Sequence, residues 1–216
     1  MENYLRKTLR EASSAYYSGS PIMTDIEFDA LARATNFKEV GTREGRIPHA
    51  FPMWSLQKVF EGDKCPFSNK GVIVTPKLDG SAISILYIDG KLERVLTRGD
   101  GICGIDITDK FKASDLVPQL AIGDHIMQVT GEIVAPKSVP NSRNYAAGSL
   151  NLKDIDEFLT RDLCFVAYGL EPSLNHFYIA DMLELWEVGF NTVTQSDWAE
   201  FPHDGTVWRL DNNKKF

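Results

Sequence analysis

Residues 72–97 read VIVTPKLDGSAISILYIDGKLERVLT and contain the clearest structural signals in the chain. Their β-branched and apolar residues predict strands at 72–75, 82–88 and 92–97. Only residues 89–91 separate the last two strands, and they begin with Asp89-Gly90. An Asp-Gly pair favours a two-residue hairpin turn. The stretch therefore predicts an antiparallel sheet as the nucleus of the fold.

Lys77 lies in this stretch, within PKLDG at 76–80, where the first predicted strand ends. Burial and nearby cations lower the pKa of a lysine ammonium, and a neutral amine can attack carbonyl or phosphorus. A surface lysine beside an Asp-Gly turn is the simpler interpretation of these five residues alone. Lys77 is therefore a candidate nucleophile whose support has to come from the rest of the chain.

The 216 residues have an ordinary globular composition, with 43% hydrophobic residues and a formal net charge of −7. This charge argues against a free-standing, tight nucleic-acid binder, because such affinity comes mainly from Lys and Arg on phosphates. No apolar run approaches the roughly 20 residues of a membrane span, and the polar start of the sequence has no signal-peptide core, so we expect a cytoplasmic protein. The three cysteines, Cys65, Cys103 and Cys164, are too widely spaced to indicate a disulfide framework or a zinc site.

The first 36 residues have helical periodicity, interrupted by Ser18-Gly19-Ser20-Pro21. After this break, Thr24 is followed three residues later by Glu27, which is the pattern of a capping box. A second helix is therefore predicted to begin at Thr24 as its N-cap.

One face of this second helix carries Asp25, Phe28 and Asp29, because positions i, i+3 and i+4 are neighbours on a helix. Two acids near a helix N-terminus can simply be a solvated face that compensates the helix dipole. The alternative is a binding surface for a cationic or polar aromatic group. The residues of the helix alone do not decide between the two.

Residues 41–69 are predicted to form a loop-like linker that packs its apolar residues on a neighbouring domain. This places a small helical domain at 1–40 and a larger domain at 70–216. Strands are predicted in the larger domain beyond residue 100 at 126–134, 163–168 and 206–210, and helices at 153–160 and 177–188. The fold class is therefore α+β.

Further motifs place polar groups at predicted strand ends. Glycines let backbone approach a ligand closely, and a guanidinium binds a phosphate through two hydrogen bonds. Each motif taken singly is explained about as well by an ordinary turn, a loop entering a helix or an ion pair. Together they supply the cations and carboxylates that transfer of a nucleotide α-phosphate requires. They are TRGDG at 97–101, GIDIT at 104–108, GE at 131–132, NSRNYAAGSL at 141–150 and DGTVWR at 204–209.

In this order KLDG, TRGDG, GIDIT, GE, NSRNYAAGSL, the YG at 168–169 and DGTV resemble the adenylation core of NAD⁺-dependent DNA ligases of bacteria and phages. The N-terminal Tyr16-Tyr17 and the acidic helix face look like the helical domain that binds nicotinamide mononucleotide in that family. The resemblance covers about residues 4–211. It implies a small N-terminal helical domain followed by a nucleotidyltransferase (adenylation) domain built on antiparallel sheets with flanking helices.

The resemblance implies that Lys77 takes AMP from NAD⁺ as a phosphoramidate and expels nicotinamide mononucleotide. AMP would then pass to the 5′-phosphate of a DNA nick, where the 3′-hydroxyl displaces it and seals the strand, as DNA replication and repair require. Arg98 and Arg143 would contact phosphate and nucleotide, and Mg²⁺ would supply further positive charge.

The other implied roles concern the two halves of the dinucleotide. Glu132 would hold the ribose, Tyr168 would stack on adenine, and Asp79 would orient the lysine or a metal-bound water. The resemblance assigns Ser55 and Leu56 to the nucleotide pocket, and it assigns the mononucleotide half to Tyr17, Asp25, Phe28 and Asp29, whose aromatic and acidic groups suit a pyridinium cation.

Three positions depart from the family pattern. Thr75 stands where relatives usually have Glu, which removes a carboxylate from adenine recognition. Asn151 stands where relatives commonly have Arg, with Lys153 nearby as a substitute. Arg209 stands where they commonly have Lys, which keeps the charge but changes its geometry.

The sequence ends at Phe216, before the last nucleotidyltransferase motif and the oligonucleotide-binding barrel of the family. We therefore expect one subunit of a split phage ligase, with a second chain that supplies these parts. Two alternatives stay open: a non-catalytic NAD⁺-binding module that resembles a ligase, and a nucleotidyltransferase that uses ATP or GTP.

Overall fold

A computed structural model describes residues 46–60, 62, 71–120, 125–195 and 198–214, together with scattered positions up to residue 35. In this part the chain is a mixed α/β structure in which short helices flank antiparallel sheets. No helix among the described residues is long and apolar enough to cross a membrane. The strands are β1 (Arg46–Pro48), β2 (Val72–Leu78), β3 (Ser81–Ile88), β4 (Lys91–Thr97), β5 (Cys103–Ile105), β6 (Met127–Val134), β7 (Cys164–Glu171), β8 (Asn191–Thr192) and β9 (His203–Leu210).

The largest sheet has the strand order β4-β3-β6-β7-β8. Its strands are antiparallel except for the parallel pair of β7 and β8. Apolar side chains of the inner strands are fully buried, among them Ile83, Ile85, Val129 and Ile133. This sheet is the rigid support from which the candidate site is built.

The hairpin predicted at Asp89-Gly90 is confirmed. Ile88 of β3 pairs with Lys91 of β4, and the two turn residues have positive φ values of 49° and 73°. Such values define the turn whose twist matches that of the flanking strands.

A second sheet consists of β2 and β9, paired antiparallel. Pro76 lies opposite Thr206, whereas Leu78 lies opposite His203, so the register shifts at Lys77. One residue of β2 therefore faces two residues of β9 at this point, which is the arrangement of a β-bulge. Bulges bend a strand and re-aim its side chains, and this one lies at the candidate nucleophile.

The segment predicted as a linker contains a short strand that the sequence analysis missed. β1 pairs with β5, with Ile47 opposite Gly104. The chain after β1 is then held by the buried amide of Gln128 in β6. That amide accepts a hydrogen bond from the Phe51 N–H at 3.0 Å and donates one to the Phe51 carbonyl at 2.7 Å. Residues 46–53 are thus joined to β5 and β6 by strand pairing and hydrogen bonds.

From residue 46 onward, the helices among the described residues are α1 (Thr108–Lys112), α2 (Ser142–Leu150), α3 (Ile155–Leu159) and α4 (Tyr178–Glu187). The predicted helices at 153–160 and 177–188 are confirmed as α3 and α4. Asp154 caps α3 by accepting hydrogen bonds from the backbone N–H groups of Asp156 and Glu157. Residues 141–150, interpreted as a loop entering a helix, are almost entirely helical from Ser142 onward.

The main core lies between the largest sheet and these helices. Phe111 of α1 and Phe158 of α3 contact each other with ring centroids 5.9 Å apart, and both are fully buried. Tyr87 of β3 packs edge-on against Phe190 and donates a 2.6 Å hydrogen bond to the Pro118 carbonyl. The buried hydroxyl therefore has the partner that its burial demands.

The predicted capping box is confirmed among the described N-terminal positions. The Glu27 carboxylate accepts a 2.9 Å hydrogen bond from the Thr24 N–H, and the Thr24 hydroxyl accepts one of 3.3 Å from the Glu27 N–H. The Phe28 N–H also donates to the Thr24 carbonyl, as in a first helical turn. The helical domain predicted at 1–40 otherwise lies largely outside the described residues.

We predict that Gly131→Ala lowers the free energy of unfolding by about 1–3 kcal/mol, the usual cost of overpacking a core. An added Cβ at this position in β6 would lie 2.4 Å from the Val166 carbonyl oxygen and 2.4 Å from the Phe165 ring. Urea unfolding of the wild-type protein and the variant measures the difference.

Gly148→Ala is the matched control, because Gly148 is inside α2 and nothing lies within 4 Å of an added Cβ. There the substitution should raise stability by about 0.5–1 kcal/mol through helix propensity. Equal effects of the two substitutions would contradict the packing described for β6 and β7.

Candidate functional site

Lys77 lies on β2 opposite the bulge of β9, with about 44% of its side chain exposed. Its ammonium donates a 2.6 Å hydrogen bond to Asp204 Oδ1 at the start of β9. This bond, together with the charges of Lys77 and Arg143, holds the pKa of the Asp204 carboxyl below its usual range. The candidate nucleophile is therefore accessible to solvent and already has an anionic partner.

Asp204 begins the DGTVWR motif of the sequence analysis, which assigned it no role of its own. The sequence shows only an Asp-Gly pair before a strand, which is also the signature of an ordinary turn. The signal that could have found it is the repetition of this pair at residues 79–80 and 204–205, the two ends that the pairing of β2 with β9 brings together.

Asp79, two residues after Lys77, pairs with an arginine instead of the lysine. Its Oδ1 is 3.2 Å from Arg143 Nε, which lies in the first turn of α2. The Asp79 N–H also donates a 2.8 Å hydrogen bond to the Pro202 carbonyl. The turn after β2 is thereby tied both to α2 and to the chain entering β9, and the guanidinium of Arg143 is brought beside the lysine.

Glu132 lies on β6, opposite Ala82 of β3 and close to Lys77. Burial raises the pKa of its carboxyl to about 7, although a hydrogen bond from the Gly80 N–H and the charge of Lys77 act in the opposite direction. Tyr168 of β7 donates a 3.4 Å hydrogen bond to Glu132 Oε2. Because burial also raises the pKa of Tyr168, its hydroxyl stays protonated and available as a donor.

Arg98 and Ser55 meet at the other side of the site. Arg98 follows β4 directly, and its Nη2 donates a 2.7 Å hydrogen bond to Ser55 Oγ. The positive charge of Arg98 also acts on the hydroxyl of Tyr168, so the guanidinium lies close to that residue. Leu56, the next residue after Ser55, has half of its surface exposed.

Two predicted residues lie in the sheet of β2 and β9 away from the bulge. Thr75 is paired with Val207 and is partly buried. Arg209 lies opposite Ile73, and its guanidinium stacks on the ring of Tyr178 at 3.8 Å from the centroid. The Tyr178 hydroxyl in turn donates a 3.1 Å hydrogen bond to the Tyr168 carbonyl. Arg209 therefore contacts the strand of Tyr168 indirectly, through Tyr178.

The residues predicted to bind the mononucleotide half are only partly described. Phe28 is partly buried in its first helical turn. Tyr17, Asp25 and Asp29 lie outside the described residues, and their roles stay predictions.

The arrangement has the chemical properties of a site for a phosphate ester next to a nucleophile. Lys77, Arg98 and Arg143 supply positive charge from three different parts of the chain, while the carboxyl of Glu132 is mostly buried. No group of three or more potential metal ligands occurs among the described residues. Mg²⁺ often needs only one or two carboxylates, because waters and substrate phosphates complete its octahedron.

Comparison with known sequences identifies the domain type. The NAD-dependent DNA ligase adenylation domain matches residues 43–139, a range that contains Lys77, Arg98 and Glu132. The chain is 30% identical to a DNA ligase of Dichelobacter nodosus over an alignment of 224 residues, which covers 80% of this chain and 33% of that protein. It is 32% identical to DNA ligase 1 of Nocardia farcinica over an alignment of 200 residues, which covers 76% of this chain and 30% of the relative. It is 28% identical to a DNA ligase of Alkalilimnicola ehrlichii over an alignment of 280 residues. That alignment covers 96% of this chain and 42% of the relative. The chain thus spans about a third of the length of the curated relatives it matches.

We predict that the carboxyl of Glu132 makes stability depend on pH. Its pKa of about 7 in the folded protein is above the ordinary value of 4.5, so its contribution is present at low pH and is lost as the pH rises through 7. Between pH 5 and pH 8 the wild-type protein should lose roughly 2–3 kcal/mol more stability than Glu132→Gln. Urea unfolding at the two pH values measures this difference.

Glu93→Gln serves as the control, because Glu93 is an exposed carboxylate on β4 of the same sheet. Its pH dependence should follow that of the wild-type protein. A Glu132→Gln profile parallel to the wild-type profile would show that the Glu132 carboxyl titrates normally.

Proposed function

Residues 43–139 belong to the NAD-dependent DNA ligase adenylation domain, and on that basis we propose that this chain transfers AMP from NAD⁺ to the amine of Lys77. The observation that carries the proposal is the position of Lys77. It is a half-exposed amine opposite the bulge of β9, bonded to Asp204 and close to Glu132, and the Arg143–Asp79 pair lies two residues farther along the chain.

The proposed reaction forms one bond and breaks one. The Lys77 ammonium first loses one proton to solvent and becomes a neutral amine. The nitrogen then bonds to the adenylyl phosphorus of NAD⁺, the bond from phosphorus to the leaving oxygen of nicotinamide mononucleotide breaks, and the nitrogen releases a second proton to solvent. An ammonium group has no lone pair for this attack, so the hydrogen bond to Asp204 has to loosen as the proton leaves. Attack in line with the leaving group then requires the phosphate to be held in place.

Arg98 and Arg143 are the groups that we propose to hold the phosphates. Both guanidinium groups can bind phosphate oxygens through two hydrogen bonds and can stabilise the charge that develops on them. Arg143 is 65% exposed in its pair with Asp79, so a phosphate can replace the carboxylate at little cost.

Glu132 and Tyr168 are the groups that we propose to recognise the nucleoside. With a pKa of about 7, Glu132 can accept a hydrogen bond from a ribose hydroxyl when ionised and donate one when protonated. Tyr168 offers an aromatic ring for stacking on adenine. Ser55 and Leu56 line the same pocket in this proposal, and Thr75 replaces a carboxylate with a hydroxyl.

Mg²⁺ would act on the phosphates by neutralising charge as the leaving group departs. Asp204, which bonds Lys77, and Asp79, two residues after Lys77 in the chain, are the candidate ligands of Mg²⁺. Tyr17, Asp25, Phe28 and Asp29 are proposed to bind the mononucleotide half, which would select NAD⁺ over ATP.

We also propose that nicked double-stranded DNA is the final acceptor of AMP and that a second polypeptide is needed to reach it. The net charge of −7 leaves this chain without the general positive charge that grips DNA phosphates. Groups that bind the duplex are therefore assigned to the partner.

We predict that incubation with NAD⁺ adds one AMP to Lys77 and that Lys77→Arg abolishes the adduct. Arginine keeps the positive charge at the bulge but is not deprotonated in proteins, so NAD⁺ should still bind within about threefold of the wild-type affinity. Intact-protein and peptide mass spectrometry locate the adduct, and calorimetry measures the affinity.

Lys137→Arg is the matched control, because Lys137 is an exposed lysine whose amine bonds the Ala199 carbonyl. It should form the adduct at the wild-type rate. AMP on another residue would contradict the assignment of Lys77. Adduct formed from ATP but not from NAD⁺ would favour the ATP-using alternative, and binding without any adduct would favour a non-catalytic module.

We predict that the chain alone, once carrying AMP, leaves nicked DNA unsealed. The AMP should stay on Lys77 when a nicked duplex is added, because a net charge of −7 gives the chain little attraction for the phosphates of the duplex. Denaturing gels of a labelled nicked duplex measure sealing. Efficient sealing by the chain alone would show that no second polypeptide is needed.

A further inference from the structure

His49 is a buried histidine that none of the proposed steps uses. It follows β1 directly and has only 8% of its surface exposed. Its backbone N–H donates a 3.0 Å hydrogen bond to the Ile102 carbonyl. Its ring lies between Ser84 Oγ, at 2.8 Å from Nδ1, and the Arg98 carbonyl oxygen, at 3.0 Å from Nε2.

These two contacts fix how the ring carries its proton. A carbonyl oxygen can only accept, so Nε2 of His49 must carry the hydrogen that bonds the Arg98 carbonyl. Burial lowers the pKa of His49, which favours the neutral ring. In the neutral ring Nδ1 is an acceptor, and the Ser84 hydroxyl therefore donates to it. Both ring nitrogens are satisfied, as a buried imidazole requires.

The backbone of Arg98 is held by this ring and by two further hydrogen bonds. The Arg98 N–H donates to the Ala82 carbonyl at 3.0 Å, and the Arg98 carbonyl also accepts from the Gly101 N–H at 3.0 Å. His49 therefore completes a set of three bonds that fixes the backbone from which the Arg98 guanidinium extends.

His49 also belongs to the segment that carries the partner of that guanidinium. Ser55, which accepts the 2.7 Å hydrogen bond from Arg98, is six residues farther along the same segment. Between them the Met53 N–H bonds the Gly101 carbonyl at 2.8 Å. The segment and the loop after β4 are thus joined at several points, and the histidine is the one buried side chain among the described contacts that reaches from the segment to the Arg98 backbone.

We propose that His49 is a positioning residue for adenylation, which sets the direction of the Arg98 guanidinium and its distance from Ser55 in the nucleotide site. The inference rests on the proposed function, because its consequence is measured on transfer of AMP to Lys77. A phosphate-binding group that shifts by about 1 Å can cost on the order of 100-fold in rate. His49 would act only through Arg98 and would not touch the nucleotide.

The test compares His49→Leu, His49→Gln and Ser84→Ala in single-turnover formation of the Lys77 adduct. Leucine fills a similar volume without a donor, and we expect a decrease of about 10- to 100-fold in rate. Glutamine can place an amide N–H near the position of Nε2, so it should restore the rate to within about threefold of wild type. Ser84→Ala leaves the bond to the Arg98 carbonyl intact and should also stay within about threefold.

A double-mutant cycle with Arg98→Ala separates positioning from general stability. The Arg98 carbonyl is still present in that variant, so His49→Leu should lower the melting temperature equally in both backgrounds. Its effect on adduct formation and on NAD⁺ affinity should vanish when the guanidinium is absent.

Two results would overturn the inference: a His49→Leu rate equal to wild type, or an equal fold-decrease by His49→Leu in the Arg98→Ala background. Failure of the proposed function looks different. In that case the wild-type protein forms no adduct with NAD⁺, whatever residue stands at 49.

Discussion

The pairing of β2 with β9 is the constraint on which the site around Lys77 depends. It joins Lys77 to Asp204, residues 127 positions apart in the chain, and its register shift lies between Pro76 and Leu78. An uninterrupted register would give Lys77 one partner residue in β9 and continue the regular alternation of side chains. The bulge instead places two β9 residues beside it and brings the Asp204 carboxylate to 2.6 Å from the amine. The turn after β2 then positions Asp79, Arg143 and the Gly80 N–H around the same point.

Two cations of the site, Lys77 and Arg143, are each paired with a carboxylate. The Lys77–Asp204 pair is about half exposed, and in the Arg143–Asp79 pair the arginine is exposed whereas the aspartate is mostly buried. Exposed ion pairs are worth only about 0–1 kcal/mol, so a phosphate can displace either carboxylate. Glu132 differs because it is buried, and its raised pKa reflects the cost of charge in that environment. The exposed pairs hold the cations in place, whereas the buried carboxyl gives the site a group that changes its protonation near neutral pH.

Local signals predicted the elements whose stability is local. The Asp89-Gly90 hairpin, the Thr24–Glu27 capping box and the strands around 82–97 follow from turn chemistry, side-chain caps and β-branched runs. β1 and β5 escaped prediction because each has three residues, and they exist through pairing with each other. The first residue of the 141–150 segment, Asn141, adopts φ 51° before a helix of small residues, which the sequence pattern did not separate from a loop. The short hydrophobic runs that do define helices, as in α3 and α4, were recognised within two residues of their ends.

The sequence by itself determined the kinds of groups present and their order: a lysine before an Asp-Gly turn, arginines and a Gly-Glu pair at strand ends, and an acidic face after a helix cap. It did so because turns, caps and strand periodicity depend on neighbouring residues. The tertiary structure alone decided that Asp204 rather than Asp79 bonds Lys77, that Glu132 is buried enough to titrate near 7, and that His49 supports the backbone of Arg98. These three features depend on strand register and on burial by segments that are distant in the chain. A short stretch of sequence determines neither the register of a non-local strand pair nor the local dielectric.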